Sequence, residues 1–203
     1  KMVAAIAMTE PDAGSDLQAL RTTARRDGDE WVLTGEKMWI GNGGIADVHV
    51  VNAVVDPELR TKGQAMFIVE KGTPGLEHVR TVDKMGSRAS MTAELRFDEC
   101  RIPAENLLGG IEGRGFVQLM QQLPQERLIV GVAALGAVEA AYDHTLAYVK
   151  ERHVFGKPLF ALQNTRFELA EIATVIDVMR TFVDDAIQHL AQASYVLGMP
   201  QRG

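Results

Sequence analysis

The sequence predicts an α+β chain: an antiparallel β-barrel or sandwich in residues 1–112, then the first helices of an antiparallel helical bundle in residues 113–203. Two observations carry this. Up to about residue 100, short runs rich in Val, Ile, Trp, Phe and Leu are bounded by Gly, Asp or Pro, with no helices between them. From about Gly113 the apolar residues recur at three- and four-residue spacing. The period changes inside a glycine-dense stretch, 108–115, which marks the boundary between the halves.

The strands expected in order are 30–34, 36–40, 47–55, 65–70 and 93–98. Arg26-Asp27-Gly28-Asp29 is a turn signal before the first, and Thr34-Gly35 reads as a turn between the first two. Residues 56–63 read as a polar loop. No Gly-x-Gly-x-x-Gly follows a strand, which argues against a doubly wound dinucleotide fold. In the second half, Phe116, Leu119, Met120, Leu123, Val130, Ala134 and Val138 form one helical stripe. Leu162, Leu169, Ile172, Ile176, Met179, Val183, Ile187 and Leu190 form another. Gly156 and Pro158 lie in the connector 152–160, closing one helix and opening the next.

The 203 residues are 46% hydrophobic with a formal net charge of −6, an ordinary globular composition for one or two domains. The acidic balance argues against nucleic acid and anionic membranes as partners. Cys100 is the one cysteine, so no internal disulfide forms and nothing demands an oxidising compartment. The sequence has no secretory signal and no apolar run of membrane-spanning length, and a cytosolic or mitochondrial-matrix location is expected. No metal-ligand cluster is expected.

Two segments carry the chemical signal. Met8-Thr9-Glu10-Pro11-Asp12-Ala13-Gly14-Ser15-Asp16 has neither helical nor strand period and is dense in turn formers. Such a loop exposes backbone N–H groups and two hydroxyls, Thr9 and Ser15. Met38-Trp39-Ile40-Gly41-Asn42-Gly43-Gly44 sets a large aromatic beside a glycine-rich turn. A flat polar ring with phosphates attached needs a face to stack on and donors for its edge. Taken singly, such a loop is also an ordinary surface turn, and a Trp at a strand end is also an ordinary core residue.

Together these segments resemble the first signature and the flavin-stacking strand of the acyl-CoA dehydrogenase family. Further matches follow in order: Phe67-Ile68-Val69-Glu70, Lys84-Met85-Gly86-Ser87-Arg88, Arg101-Ile102-Pro103-Ala104-Glu105-Asn106, Gly115-Phe116 and Arg152-His153-Val154-Phe155-Gly156-Lys157. The resemblance runs to about residue 190 and implies an excerpt: a middle β domain forming the flavin and thioester walls, plus the start of the C-terminal helical domain. Residues 193–203 depart from the family pattern.

The resemblance implies FAD as cofactor. Ile6, Ala7, Met8 and Thr9 match its contacts to the ring edge. Gly14 and Ser15 match the end of that loop, where Ser15 also approaches the CoA thioester arm. Trp39 and Ile40 match the residues against the ring. Gly41 departs from the usual Thr, whose hydroxyl lies near flavin N5. Arg152, Phe155 and Gln163 match positions reaching the FAD of a neighbouring subunit, which implies a homo-oligomer, a tetramer, that shares its cofactor. Val154 and Leu162 depart from the usual Thr and His of that half-site.

On the first helical stripe the position after Leu123 falls on Glu126-Arg127, with Pro124 just before. Two charges then occupy an apolar face, and a buried ion costs several kcal/mol unless paired or useful. The residues alone leave three readings open: a salt bridge at a helix interface, Glu126 turned outward beside Gln125, or a base. The segment Leu123-Pro124-Gln125-Glu126-Arg127-Leu128 resembles the long-chain and isovaleryl branches of the family, which carry the catalytic base on this helix. That implies Glu126 as base, with Pro124, Gln125 and Arg127 at the substrate end. A carboxylate in a desolvated cleft has a raised pKa and is a stronger base than in water.

The implied activity is FAD-dependent α,β-dehydrogenation of an acyl-CoA to trans-2-enoyl-CoA, with electrons passed to an electron-transfer flavoprotein. Two alternatives stand beside it. One is an oxygen-using relative of the acyl-CoA oxidase or flavin monooxygenase type, and the other a non-catalytic acyl-CoA-binding subunit.

Overall fold

The computed structural model describes residues 1–196, with side chains through residue 192. The chain divides into two compact units, Lys1–Met120 and Gln121–Gly203.

The first unit is a seven-stranded sheet. Its strands are β1 (Ala4–Ala7), β2 (Thr23–Asp27), β3 (Glu30–Gly41), β4 (Val48–Val54), β5 (Gln64–Glu70), β6 (Leu76–Thr81) and β7 (Thr92–Pro103). The order is β1-β4-β2-β3-β7-β6, with β5 also paired to β4. The pairs β2–β3, β3–β7, β4–β5 and β6–β7 are antiparallel, as expected, but β1 and β2 each meet β4 in parallel. A parallel pair needs a crossover, and the β2–β3 hairpin lies between β1 and β4 in the chain. Gly28, at φ 63, makes the tight turn of that hairpin.

Thr34-Gly35 is not a turn. It lies inside the 12-residue strand β3, beside a bulge in β7 where Glu99 takes φ 47. A Cβ on Gly35 would stand 2.5–2.7 Å from Thr22 atoms, so glycine is needed there for close backbone approach rather than for reversal. Two residues further on, β3 carries a bulge of its own between Lys37 and Ile40, which restores the register that the first bulge shifted.

The core packs Trp31, Leu33, Ile40, Val51, Phe67, Leu95, Phe97 and Ile102 against small residues such as Ala7, Ala53, Ala65 and Ala93. Trp31 and Phe67 meet in a tilted pair with ring centroids 5.1 Å apart. The stretch 57–63 forms 3-10 turns opened by Asp56, whose carboxylate accepts from the Glu58 N–H at 2.9 Å. Helix α1 (Gly115–Glu151) starts against β5: a Cβ on Gly115 would lie 2.8 Å from the Ala65 Cα.

The second unit holds the rest of α1, a two-stranded hairpin of β8 (His153–Val154) and β9 (Lys157–Pro158), and α2 (Gln163–Val196). The helices are antiparallel neighbours, joined by an ion pair between Arg180 and Glu139. Pro124 is accommodated inside a continuous α1. Leu169, Ile176 and Val183 of the second stripe are buried, whereas Val130 and Val138 of the first, and Phe182 beside the second, stand exposed. The family-divergent stretch 193–203 begins inside α2, and 197–203 lies outside the described residues. Among the described residues no helix is long and apolar enough to cross a membrane.

Candidate functional site

In the first unit the two signature segments, about thirty residues apart in sequence, form one piece of structure. Strand β3 explains how. Trp31, Leu33 and Lys37 all fall on one parity and are buried. Unbroken alternation would send Trp39 inward as well. The bulge slips the phase by one residue, and a one-residue slip reverses every side chain beyond it. Ile40 therefore enters the core at 2% exposure, and Trp39 turns outward at 56%. Trp39 sits at φ 61, a region costly for a bulky residue, so the surroundings hold it there.

Those surroundings are the loop after β1. The Met38 N–H donates to the Thr9 carbonyl at 2.8 Å. The Lys37 ammonium donates to the Met8 carbonyl at 3.0 Å and to Glu10 Oε1 at 2.8 Å. Glu10 Oε1 also accepts from the Thr22 N–H at 3.0 Å, and Oε2 accepts from the Arg21 N–H at 2.7 Å. Lys37 is fully buried and Glu10 nearly so. Burial pushes the Lys37 ammonium down to about 8, against the pull of Glu10. For Glu10 burial pushes upward, but Lys37 and the bonds from Thr22 and Arg21 outweigh it and hold the carboxyl below its ordinary value.

On the other side of the bulge, the Asn42 N–H donates to the Met91 carbonyl at 2.9 Å and the Gly43 N–H to the Ile40 carbonyl at 3.1 Å. Buried His49 donates from Nε2 to the Gly43 carbonyl at 2.8 Å, and its Nδ1 has no partner. Apart from its own chain neighbours, no atom lies within 4 Å of where a Cβ on Gly41 would stand.

Ile6 lies on β1 with its side chain exposed, while the Ala7 methyl is in the core. Ala7 and Ile40 are both buried and present no side chain outward. Met8 and Thr9 are half-buried between β1 and the bulge. The reciprocal Glu10–Ala13 backbone bonds close the turn over Pro11 and Asp12, and Gly14 and Ser15 stand exposed just after it. Asp16 then caps the 3-10 turn Leu17–Ala19 by accepting from the Gln18 N–H at 3.0 Å.

In the second unit Pro124, Gln125, Glu126 and Arg127 share about one turn of α1, and all four are exposed in this chain. Neither ion is buried, so the expected desolvated setting of Glu126 is not provided by the residues present. Arg152 follows the end of α1, and its carbonyl accepts from the Leu159 N–H at 2.7 Å, which closes the β8–β9 hairpin at its base. Phe155 stands at the hairpin tip with φ 51, 95% exposed. Gln163 is the exposed first residue of α2.

The roles of Glu10, Lys37 and His49 were not assigned from sequence. For Lys37 the signal was available: a lysine on the inward parity of a strand that already buries Trp31 and Leu33 must have a partner. The bulge that separates Trp39 from that parity left no such trace.

A family model described as acyl-CoA dehydrogenase, middle domain, matches residues 5–100, and one described as acyl-CoA dehydrogenase, C-terminal domain, matches residues 113–199. The chain is 47% identical over 190 residues to the mitochondrial long-chain specific acyl-CoA dehydrogenase of Mus musculus, covering 93% of this chain and 44% of that protein. It is 43% identical over 189 residues to cyclohex-1-ene-1-carbonyl-CoA dehydrogenase of Geobacter metallireducens, covering 93% and 50%. The crystal structure of an acyl-CoA dehydrogenase from Geobacillus kaustophilus superposes with a TM-score of 0.90 at 46% identity, covering 94% of this chain and 51% of that one. The chain spans about half the length of the relatives it matches.

Proposed function

The chain belongs to the acyl-CoA dehydrogenase family, and on that premise we propose that the protein carrying it removes the α-proton and the β-hydride of an acyl-CoA thioester, giving a trans-2-enoyl-CoA. The observation that carries this reading is the wall in the first unit. Trp39, turned outward by a bulge at a costly φ, stands bonded through Met38 to the loop that bears Thr9. An exposed indole, open space at Gly41 and the adjoining loop with its Thr9 hydroxyl fit a flat heteroaromatic ring with polar edges, as FAD presents. When bound, FAD supplies a two-electron acceptor for the hydride leaving the β carbon.

The chain's own residues do the rest. Trp39 offers the ring a face. Ile6, Ala7, Met8 and Thr9 offer its edge backbone groups and a hydroxyl. Gly41 has no hydroxyl, so contacts there come from the backbone. Gly14 and Ser15 border the thioester arm. Glu126 takes the α-proton, and Arg127, Pro124 and Gln125 line the substrate end. Glu126 is exposed in this chain, so the raised basicity the reaction needs arises only where further protein excludes water from it. Arg152, Phe155 and Gln163 reach the cofactor of a neighbouring subunit in a tetramer. The segment around Glu126 and the 47% identity to a long-chain enzyme favour a longer or branched acyl group. Electrons pass on to an electron-transfer flavoprotein.

The test is Glu126→Gln in the full-length protein, mixed anaerobically with a long-chain acyl-CoA while flavin absorbance is followed. The expected loss in reduction rate is about 10²–10⁴-fold, the usual worth of a positioned general base. Unchanged bleaching would remove Glu126 from the base role. Reoxidation as fast by oxygen as by an acceptor dye would identify the oxygen-using alternative, and a flavin that acyl-CoA does not bleach even in the unaltered protein would identify the non-catalytic one.

A further inference from the structure

Pro11, the residue after Glu10, lines two open clefts of about 300 Å³ and about 150 Å³. The loop is therefore loosely packed at Pro11. What fixes it is polar. The Lys37 ammonium spans from β3 to both the Met8 carbonyl and the Glu10 carboxylate, and Glu10 reaches on to the N–H groups of Arg21 and Thr22. A buried ion pair is poor evidence for stability, since well-packed apolar residues of similar volume often do as well. Directional bonds do something that apolar packing does not: they select one register between two segments.

We infer that the Glu10–Lys37 pair is a positioning latch, holding the ring-edge loop 8–10 and the indole-bearing bulge at Trp39 as one preorganised wall. Neither residue touches the reacting atoms; both act through Met8, Thr9 and Trp39. The bulge is the weak link. Met38 and Trp39 of β3 stand against the one residue Glu94 of β7 there, and Trp39 occupies a backbone conformation that relaxes if its supports go. The inference rests on reading this wall as the FAD edge.

The test uses the full-length protein and three variants: Lys37→Met, Glu10→Gln, and the two combined. Each is read, at a temperature where circular dichroism shows it folded, for FAD affinity by flavin fluorescence, for the band shape of bound flavin, and for Tm. Glu10→Gln leaves one oxygen to accept from the Thr22 N–H and Lys37 but turns an amide NH2 toward the Arg21 N–H, so it is compared only where circular dichroism shows it folded. The double variant removes both charges and leaves no ion stranded, so its Tm recovers toward the unaltered value. Its FAD affinity is expected to stay at least about tenfold weaker, about 1.4 kcal/mol, with blunted flavin band structure. A role confined to stability predicts affinity that follows Tm across the variants. A double variant that binds FAD within about twofold of the unaltered protein, with the native band shape, overturns the latch. An unaltered protein that binds no FAD instead overturns the functional reading and the latch with it.

Discussion

Glu10 is a carboxylate in a place that should neutralise it. Burial raises its proton affinity, yet Lys37 and the bonds from Thr22 and Arg21 bring it below the ordinary value of 4.5. The consequence for stability has a definite sign. Between the lowered folded value and 4.5 the unfolded chain holds a proton that the folded one does not, so stability rises with pH there. The contribution is fully present above pH 4.5 and is lost as the pH falls through the folded value. Glu10→Gln removes this acid-side dependence, and at neutral pH it strands the Lys37 ammonium, at a cost of about 3–5 kcal/mol typical of a broken buried pair. Urea titrations of both proteins at pH 7 and below pH 4.5 check this: the gap between them is expected to narrow in acid. A constant gap would show that the carboxylate charge contributes nothing. Glu10 stands in the first signature segment and Lys37 directly before the second, but their coupling was not legible, because a contact between positions 10 and 37 depends on register that single-sequence patterning does not carry.

At the scale of elements, the compositional runs located β3, β4, β5 and β7, and the Gly28 turn, because each rests on local chemistry. The division of β3 at Thr34-Gly35 failed for an equally local reason. Glycine punctuates chains both at reversals and at close approaches, and here Thr22 presses on the strand from above Gly35. Strands β1, β2 and β6 are short and carry many exposed or small residues, so alternation is weak in them. The helices were legible from period alone, but the partners covering their stripes were not. Two glycines separate the roles. Gly28→Ala places a side chain at φ 63 in open space, for about 1–2 kcal/mol of backbone strain. Gly35→Ala adds a clash with Thr22 to its own strain at φ 153, about 1–3 kcal/mol of overpacking beyond the first variant. Thermal melts of the two should therefore rank Gly35→Ala well below Gly28→Ala. Equal melting temperatures would mean that Thr22 yields freely.

At the scale of the molecule, two compact units carry different parts of one proposed chemistry. The first presents the proposed flavin-edge wall, whose geometry follows from its own bonds. The second carries Glu126 on a helix whose apolar flank, Ile129, Val130 and Val132, stands exposed in this chain. The ordered motifs identified the family, while the wall's construction required coordinates, because a bulge that turns one indole outward depends on the partner strand. As proposed, the full-length protein is a flavoprotein that oxidises an acyl-CoA. The most direct measurement is the visible absorbance spectrum of the full-length protein, purified with FAD, recorded anaerobically before and after a long-chain acyl-CoA is added. A bound-flavin spectrum that bleaches on addition, with trans-2-enoyl-CoA formed in step, is the expected result. A protein that carries no flavin, or a flavin that keeps its full absorbance in the presence of short-, long- and branched-chain acyl-CoA thioesters, would contradict it.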